Sequence, residues 1–256
     1  MTPRTAGVAV VAVLLLAVGG GALAWVLFLK GDDVAPLALP STAPAASSAA
    51  AGSSPIANSS TGTALAPASG ATIDAASIPG TWSIGANSVV GYRVREKLAS
   101  LSADSDAVGR TSGITGTATI ASSGGSLSVT AADFTVDMTS LASDRQMRDN
   151  RLRRDGIETD AFPTSTFKLT QPVSLPANAT SGAQFDVTIH GDLTLHGVTK
   201  TVDIPVQAQV NGSVIQVAGS LSFPFSDFQI NAPNIGGFVS VEDHGTLEFL
   251  INLAKS

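Results

Sequence analysis

The sequence predicts an all-β fold: an antiparallel barrel of about eight strands with a short helix in one long connection, preceded by one transmembrane helix and a disordered linker. Three observations carry this. From residue 78 onward the apolar residues recur with a period of two. Glycine-bearing turns separate the alternating runs. The residues before that point form one long apolar run and one stretch too polar and too small-sided to bury a core.

Residues 1–6 form an N-terminal tip whose only charged side chain is Arg4. Residues 7–29 carry no charge. As a helix they would measure about 34 Å, enough for a bilayer core of about 30 Å. Two readings compete: a signal peptide cut near Ala22-Leu23-Ala24, or a retained anchor. The run continues through Trp25 and Phe28 and exceeds the roughly 7–15 residues of a signal core, which favours the anchor. A single N-terminal anchor before a large domain predicts a single-pass protein of the cell membrane with that domain on the extracytoplasmic side. Residues 30–77, rich in Ala, Ser, Pro, Gly and Thr, read as a tether with a coil reach of roughly 35–40 Å.

The domain spans 78–256. Ile114, Gly116, Ala118 and Ile120 alternate with threonines, and Phe185, Val187 and Ile189 alternate with Asp186, Thr188 and His190. Val202 to Val210 and Leu247 to Leu253 repeat the pattern, as strands with one buried face do. Gly124-Gly125, His196-Gly197 and Asn211-Gly212 predict tight hairpin loops. An apolar phase slip near Ala131-Ala132 predicts a β-bulge. Residues 143–155 break the period and predict a polar helix with Ser143 as N-cap and Gly156 as stop. Closure of the sheet removes exposed edges.

Composition narrows the chemistry. Net charge is −6, and acidic residues outnumber basic ones after residue 77, which argues against a nucleic-acid partner. The chain has no cysteine, so disulfides, thiolate catalysis and a cysteine-linked lipid are excluded. His190, His196 and His244 lack metal-ligand spacing, and no nucleophile elbow, phosphate loop or dinucleotide fingerprint is present. Neither catalysis nor a cofactor is expected. Glu96 is the one carboxylate in the inward phase.

The inward residues are apolar: Tyr92, Val94, Ile120, Phe134, Phe167, Phe185, Ile189, Val206, Phe223 and Phe249. They fit either a packed core, as in a structural or interaction module, or the lining of a ligand lumen, since a barrel of this size does one or the other. Small inward residues, Gly116, Ala118, Ala208 and Gly219, favour the lumen. Five arginines at 145, 148, 151, 153 and 154 fit either a solvated helix paired with Asp144, Asp149 and Asp155 or an anion contact, Arg145 and Arg148 being the candidates.

Three motifs in order, Ser-Asp-Arg-Gln-Met-Arg-Asp (143–149), Phe-Pro-Thr-Ser-Thr-Phe (162–167) and Gly-Asp-Leu-Thr-Leu-His-Gly-Val-Thr-Lys (191–200), resemble the YceI-like, or polyisoprenoid-binding, family. Thr81-Trp82-Ser83-Ile84 and Gly245-Thr246-Leu247-Glu248-Phe249 fit its two ends. The resemblance implies a lipocalin-like, eight-stranded barrel that holds a long isoprenoid or other lipid chain in an apolar pore, without catalysis. The first long strand, Tyr92-Arg93-Val94-Arg95-Glu96-Lys97, departs from the His-containing apolar run of many members, so their contacts there do not carry over.

Overall fold

The computed structural model describes residues 34–40, 73–98, 105–232, 234–235 and 239–256. The tip at 1–6, the apolar run at 7–29 and most of the stretch 30–77 lie outside the described residues. Among those described, no helix is long and apolar enough to cross a membrane.

In chain order the strands are β1 (Gly80–Ile84), β2 (Val89–Leu98), β3 (Ser105–Thr111), β4 (Ile114–Ser123), β5 (Ser126–Asp137), the two-residue β6 (Ala142–Ser143), β7 (Thr164–Leu169), the two-residue β8 (Val173–Ser174), β9 (Phe185–Leu195), β10 (Val198–Asn211), β11 (Val214–Pro224), the two-residue β12 (Asn234–Ile235) and β13 (Val239–Lys255). The helix α1 is Gln146–Asp155. The order around the sheet is β1-β4-β5-β7-β9-β10-β11-β13, and β13 closes back onto β1. Every pairing is antiparallel. β2 continues the line of β1 along β13, and β3 continues β4, so the two broken strands pair as one long hairpin. The result is a closed, eight-staved, up-and-down barrel.

The turns show how the sequence sets the register. Ser123 pairs with Ser126 across Gly124-Gly125, at φ 58° and 81°. Leu195 pairs with Val198 across His196-Gly197, at φ 52° and 72°. Both have positive φ at both loop positions, the twist that strand pairs favour. The third hairpin is shifted by one residue from expectation. Asn211 pairs with Val214, so the loop is Gly212-Ser213 rather than Asn211-Gly212, with positive φ at Gly212 alone. The bulge sits at Thr130, between Thr119↔Ala131 and Ile120↔Val129.

The helix differs from expectation at its start. It begins at Gln146, and Arg145 holds the N-cap position without a side-chain cap. Ser143 is instead in the bridge β6, opposite Gly109. Its N–H donates to Asp149 Oδ1 at 2.9 Å, so the carboxylate of the first turn reaches back to the bridge.

The far end of the barrel is packed by Ile78, Trp82, Val210, Ile215 and Leu253, all buried, and Trp82 Nε1 donates to Ile78 O at 2.9 Å. The α1 end is packed by Met138, Leu193, Leu195, Phe225, Phe228 and Ile230. Between the two the apolar side chains face one another across the barrel.

The tether reading needs correction at two places. Residues 75–77 form a 3-10 turn, capped by Asp74 accepting from Ala76 N, that leads into the buried Ile78. Residues 34–40 lie as a strap on the outer wall. The Arg93 guanidinium donates to Val34 O at 2.8 Å, Arg110 to Ala35 O at 2.5 Å, and Gln184 Nε2 to Pro40 O at 3.0 Å. Leu39 is buried in a groove formed with β9, β10 and β11. Backbone carbonyls held by side-chain donors, plus one buried leucine, explain why a segment without apolar period is nonetheless seated.

Candidate functional site

The barrel encloses a cavity of about 600 Å³, at the size usual for small-molecule sites. The ten apolar-phase residues named from the sequence, Tyr92, Val94, Ile120, Phe134, Phe167, Phe185, Ile189, Val206, Phe223 and Phe249, all line it. So do Arg145 and Arg148. A filled core is therefore not what the interior contains.

The reason the interior stays open differs in part from the one inferred from the sequence. Ala118 and Ala208 do line the cavity, but Gly116 and Gly219 do not. They sit under aromatic rings of the neighbouring strand. A Cβ on Gly116 would meet the Phe134 ring at 2.7 Å, and one on Gly219 would meet Phe249 Cζ at 2.7 Å. Gly109 does the same beneath Tyr92, at 2.3 Å, and Gly191 beneath Phe167, at 2.4 Å. Gly116↔Phe134, Gly219↔Phe249 and Tyr92↔Gly109 are directly opposed in the register. Each glycine lets a large ring lie flat along the wall instead of projecting into the space.

The charged groups of the lining, Glu96, Arg145, Arg148 and Arg151, gather at the α1 end. Arg148 Nε and Nη2 donate to the two oxygens of Glu96 at 3.3 and 3.2 Å, and Nη1 donates to Asp144. Burial opposes the charge of Arg148, but the hydrogen bonds and proximity of Glu96 and Asp144 outweigh it and hold the guanidinium more firmly protonated. Its donors are taken by two carboxylates. Of the two anion-contact candidates, Arg148 is thus occupied, and Arg145 is held more loosely, 3.5 Å from Asp144.

Tyr92 is the exception. Its ring is buried and its hydroxyl has no hydrogen-bond partner among the described residues. Burial drives its pKa upward, eased by Arg148 and reinforced by Asp149, Glu96 and Asp144. A neutral phenol next to the lumen offers one donor and one acceptor.

The histidines are placed elsewhere. His190 faces out and contacts Asp203 at 2.6 Å, and His244 is exposed beside Asp243. His196, expected only to turn the chain, also ties loops together. Its Nδ1 meets Phe228 O at 3.0 Å, its Nε2 meets Glu158 Oε2 at 3.1 Å, and its ring lies 4.3 Å from that of Phe162. The second and third motifs meet there, at the α1 end of the barrel.

Sequence reasoning missed two features. Leu141, Leu152 and Ile157, from the connection around α1, join the lining, because the period-two pattern reads strands only. Glu248 lies in the outward phase between Leu247 and Phe249 yet is 2% exposed. Arg93 and Arg110 reach its carboxylate at 3.4 and 2.9 Å, and the same two arginines hold the strap carbonyls of Val34 and Ala35. No local signal announces a pairing with residues 155 and 138 positions away.

A family model described as the YceI-like domain matches residues 82–253. A UPF0312 protein of Vibrio parahaemolyticus is 33% identical over 116 residues, 43% of this chain and 58% of that protein. The chain thus aligns to little more than half the length of the curated relatives it matches. Among solved structures, the polyisoprenoid-binding domain of Saccharophagus degradans implicated in plant cell wall breakdown is similar at a TM-score of 0.50 and 16% identity, covering 70% of this chain and 99% of that one. Burkholderia cenocepacia BcnA is similar at 0.50 and 19%, covering 66% and 98%. At these identities the likeness is one of fold.

Proposed function

Because the chain belongs to the YceI-like family, we propose that its barrel binds one long-chain lipid, of isoprenoid or comparable character, within the lumen. The observation that carries this is the cavity of about 600 Å³ lined almost wholly by apolar side chains. At roughly 30 Å³ per group it admits on the order of 20 methylene-sized units. Burying that many gains about 16 kcal/mol at 0.8 kcal/mol each, against association costs of about 4–15 kcal/mol. Ten units, at about 8 kcal/mol, fall inside the range of the cost. Each further unit that fits the lumen therefore adds to the affinity, which favours long chains.

The polar end suits a modest head group. Glu96 and Arg148 neutralise one another, and the unpaired Tyr92 hydroxyl lies buried in the wall beside them. This is an arrangement for holding a ligand, not for proton transfer, and the reading is of a binding protein. It includes the membrane: residues 7–29 anchor the chain and the barrel works on the extracytoplasmic side, for storage or transport of the lipid. The charge-free length of that run supports this part.

Native mass spectrometry of the chain purified from cells tests the reading. A co-purified lipid mass, displaced by excess isoprenoid, is the expected result. A protein that leaves the cell empty and takes up no long-chain lipid overturns it.

A further inference from the structure

The lumen needs a route by which a water-insoluble chain can enter, and α1 stands at its mouth. Met147, Arg148, Arg151 and Leu152 of this helix all border the cavity. Yet α1 buries none of its residues. It is held by the Arg148 contacts to Glu96 and Asp144 and by Asp149 accepting from Ser143 N. Met147 is 85% exposed, the one large apolar side chain so exposed among the described residues. Arg151 and Arg154 follow it at the i+4 and i+7 positions of the same stripe. Arg153 and Arg154 have no ion-pair partner among the described residues, and Arg151 has only a 4.0 Å approach to Asp155. The carboxylates of the segment, Asp144, Asp149, Asp155, Glu158 and Asp160, balance its arginines in number, but along this one stripe the charge is positive and ends in one greasy tip at the rim of the pore.

We propose that the Met147–Arg151–Arg154 face of α1 is the surface by which the barrel docks on an anionic lipid bilayer, so that the mouth opens onto the lipid it loads. Arginines with apolar stems and a charged head suit the level of lipid phosphates, and a methionine beside them reaches the acyl boundary. The proposal rests on the lumen being a lipid site and adds the surface and the partner.

The absence of cysteine makes the test clean. Met147→Cys in the full chain, carrying an environment-sensitive fluorophore, is reconstituted in vesicles of phosphatidylcholine with or without phosphatidylglycerol that bear a headgroup-level quencher. Quenching that needs phosphatidylglycerol is expected. Replacing Arg151 and Arg154 by Gln should lower the ratio of docked to undocked label about five-fold per arginine, about twenty-five-fold together. Quenching that is absent with either lipid, or unchanged in the Gln variant, overturns the docking surface. Mass spectrometry of the same samples separates the two claims. A loaded lumen with an unquenched label defeats the docking alone, and a quenched label with an empty lumen supports docking and defeats the lumen reading.

Discussion

Ala118→Phe inserts six ring carbons at a position that lines the cavity and is opposed in the register by Trp82 and Ala132. The ring takes the place of about three to four methylene-sized units of ligand, worth about 3 kcal/mol at 0.8 kcal/mol each. A chain that shifts toward the α1 mouth recovers some of this, so the expected loss of affinity is about ten- to a hundred-fold, or about 1.4–2.7 kcal/mol. Stability should not fall, because the ring enters open space. A solid interior would behave otherwise: overpacking costs about 1–3 kcal/mol, or about 2–12 °C in Tm at 2–4 °C per kcal/mol for a domain of this size. The assay pairs rebinding of a fluorescent long-chain lipid to delipidated protein with thermal unfolding. A variant that binds like the parent while its Tm drops would refute the account of the lumen.

Other outcomes follow from single contacts. Gly116→Ala places a Cβ 2.1 Å from Asp133 O at φ +140° and should cost about 2–3 kcal/mol, read as a fall in the urea midpoint. Glu248→Gln takes the carboxylate from Arg110, while Arg93 keeps Asp106 at 3.1 Å; discounted for partial exposure, the loss should be about 1–2 kcal/mol, with the strap more open to protease. Tyr92 is the only tyrosine in the chain, so absorbance reports it alone. It should stay protonated in the folded protein as pH rises past the ordinary 10.0, while the unfolded chain ionises there. The unfolded state then binds fewer protons than the native one, so stability is full below pH 10.0 and declines above it. A folded-state titration at the ordinary value would show that the hydroxyl is not buried.

The barrel was legible because strand alternation is local. Ile114 to Ile120 and Phe185 to Ile189 declare which face is buried, and two-residue loops such as His196-Gly197 declare where the chain reverses. The lining followed from the same parity. What parity cannot express is the fate of a ring after it turns inward. Gly116 and Gly219 look like missing volume in the sequence, whereas the neighbouring strand spends that volume on Phe134 and Phe249. The one-residue shift at Gly212-Ser213 has a similar origin, since an Asn-Gly pair specifies a turn but the facing strand fixes which residues occupy it. The strap was illegible for another reason: its binding comes from main-chain oxygens, which every residue has.

That strap changes how far the barrel can roam. If residues 7–29 sit in a bilayer, as proposed, the leash to a released domain is the whole of residues 30–72, whereas with Val34 clasped by Arg93 only residues 30–33 remain between membrane and wall. Those few residues stretch to at most about 14 Å. The pore is then kept within a molecular diameter of the lipid surface, and the salt-bridged clasp around Glu248 becomes the adjustable part of the device: fastened, it makes a resident of the barrel, and unfastened, a courier.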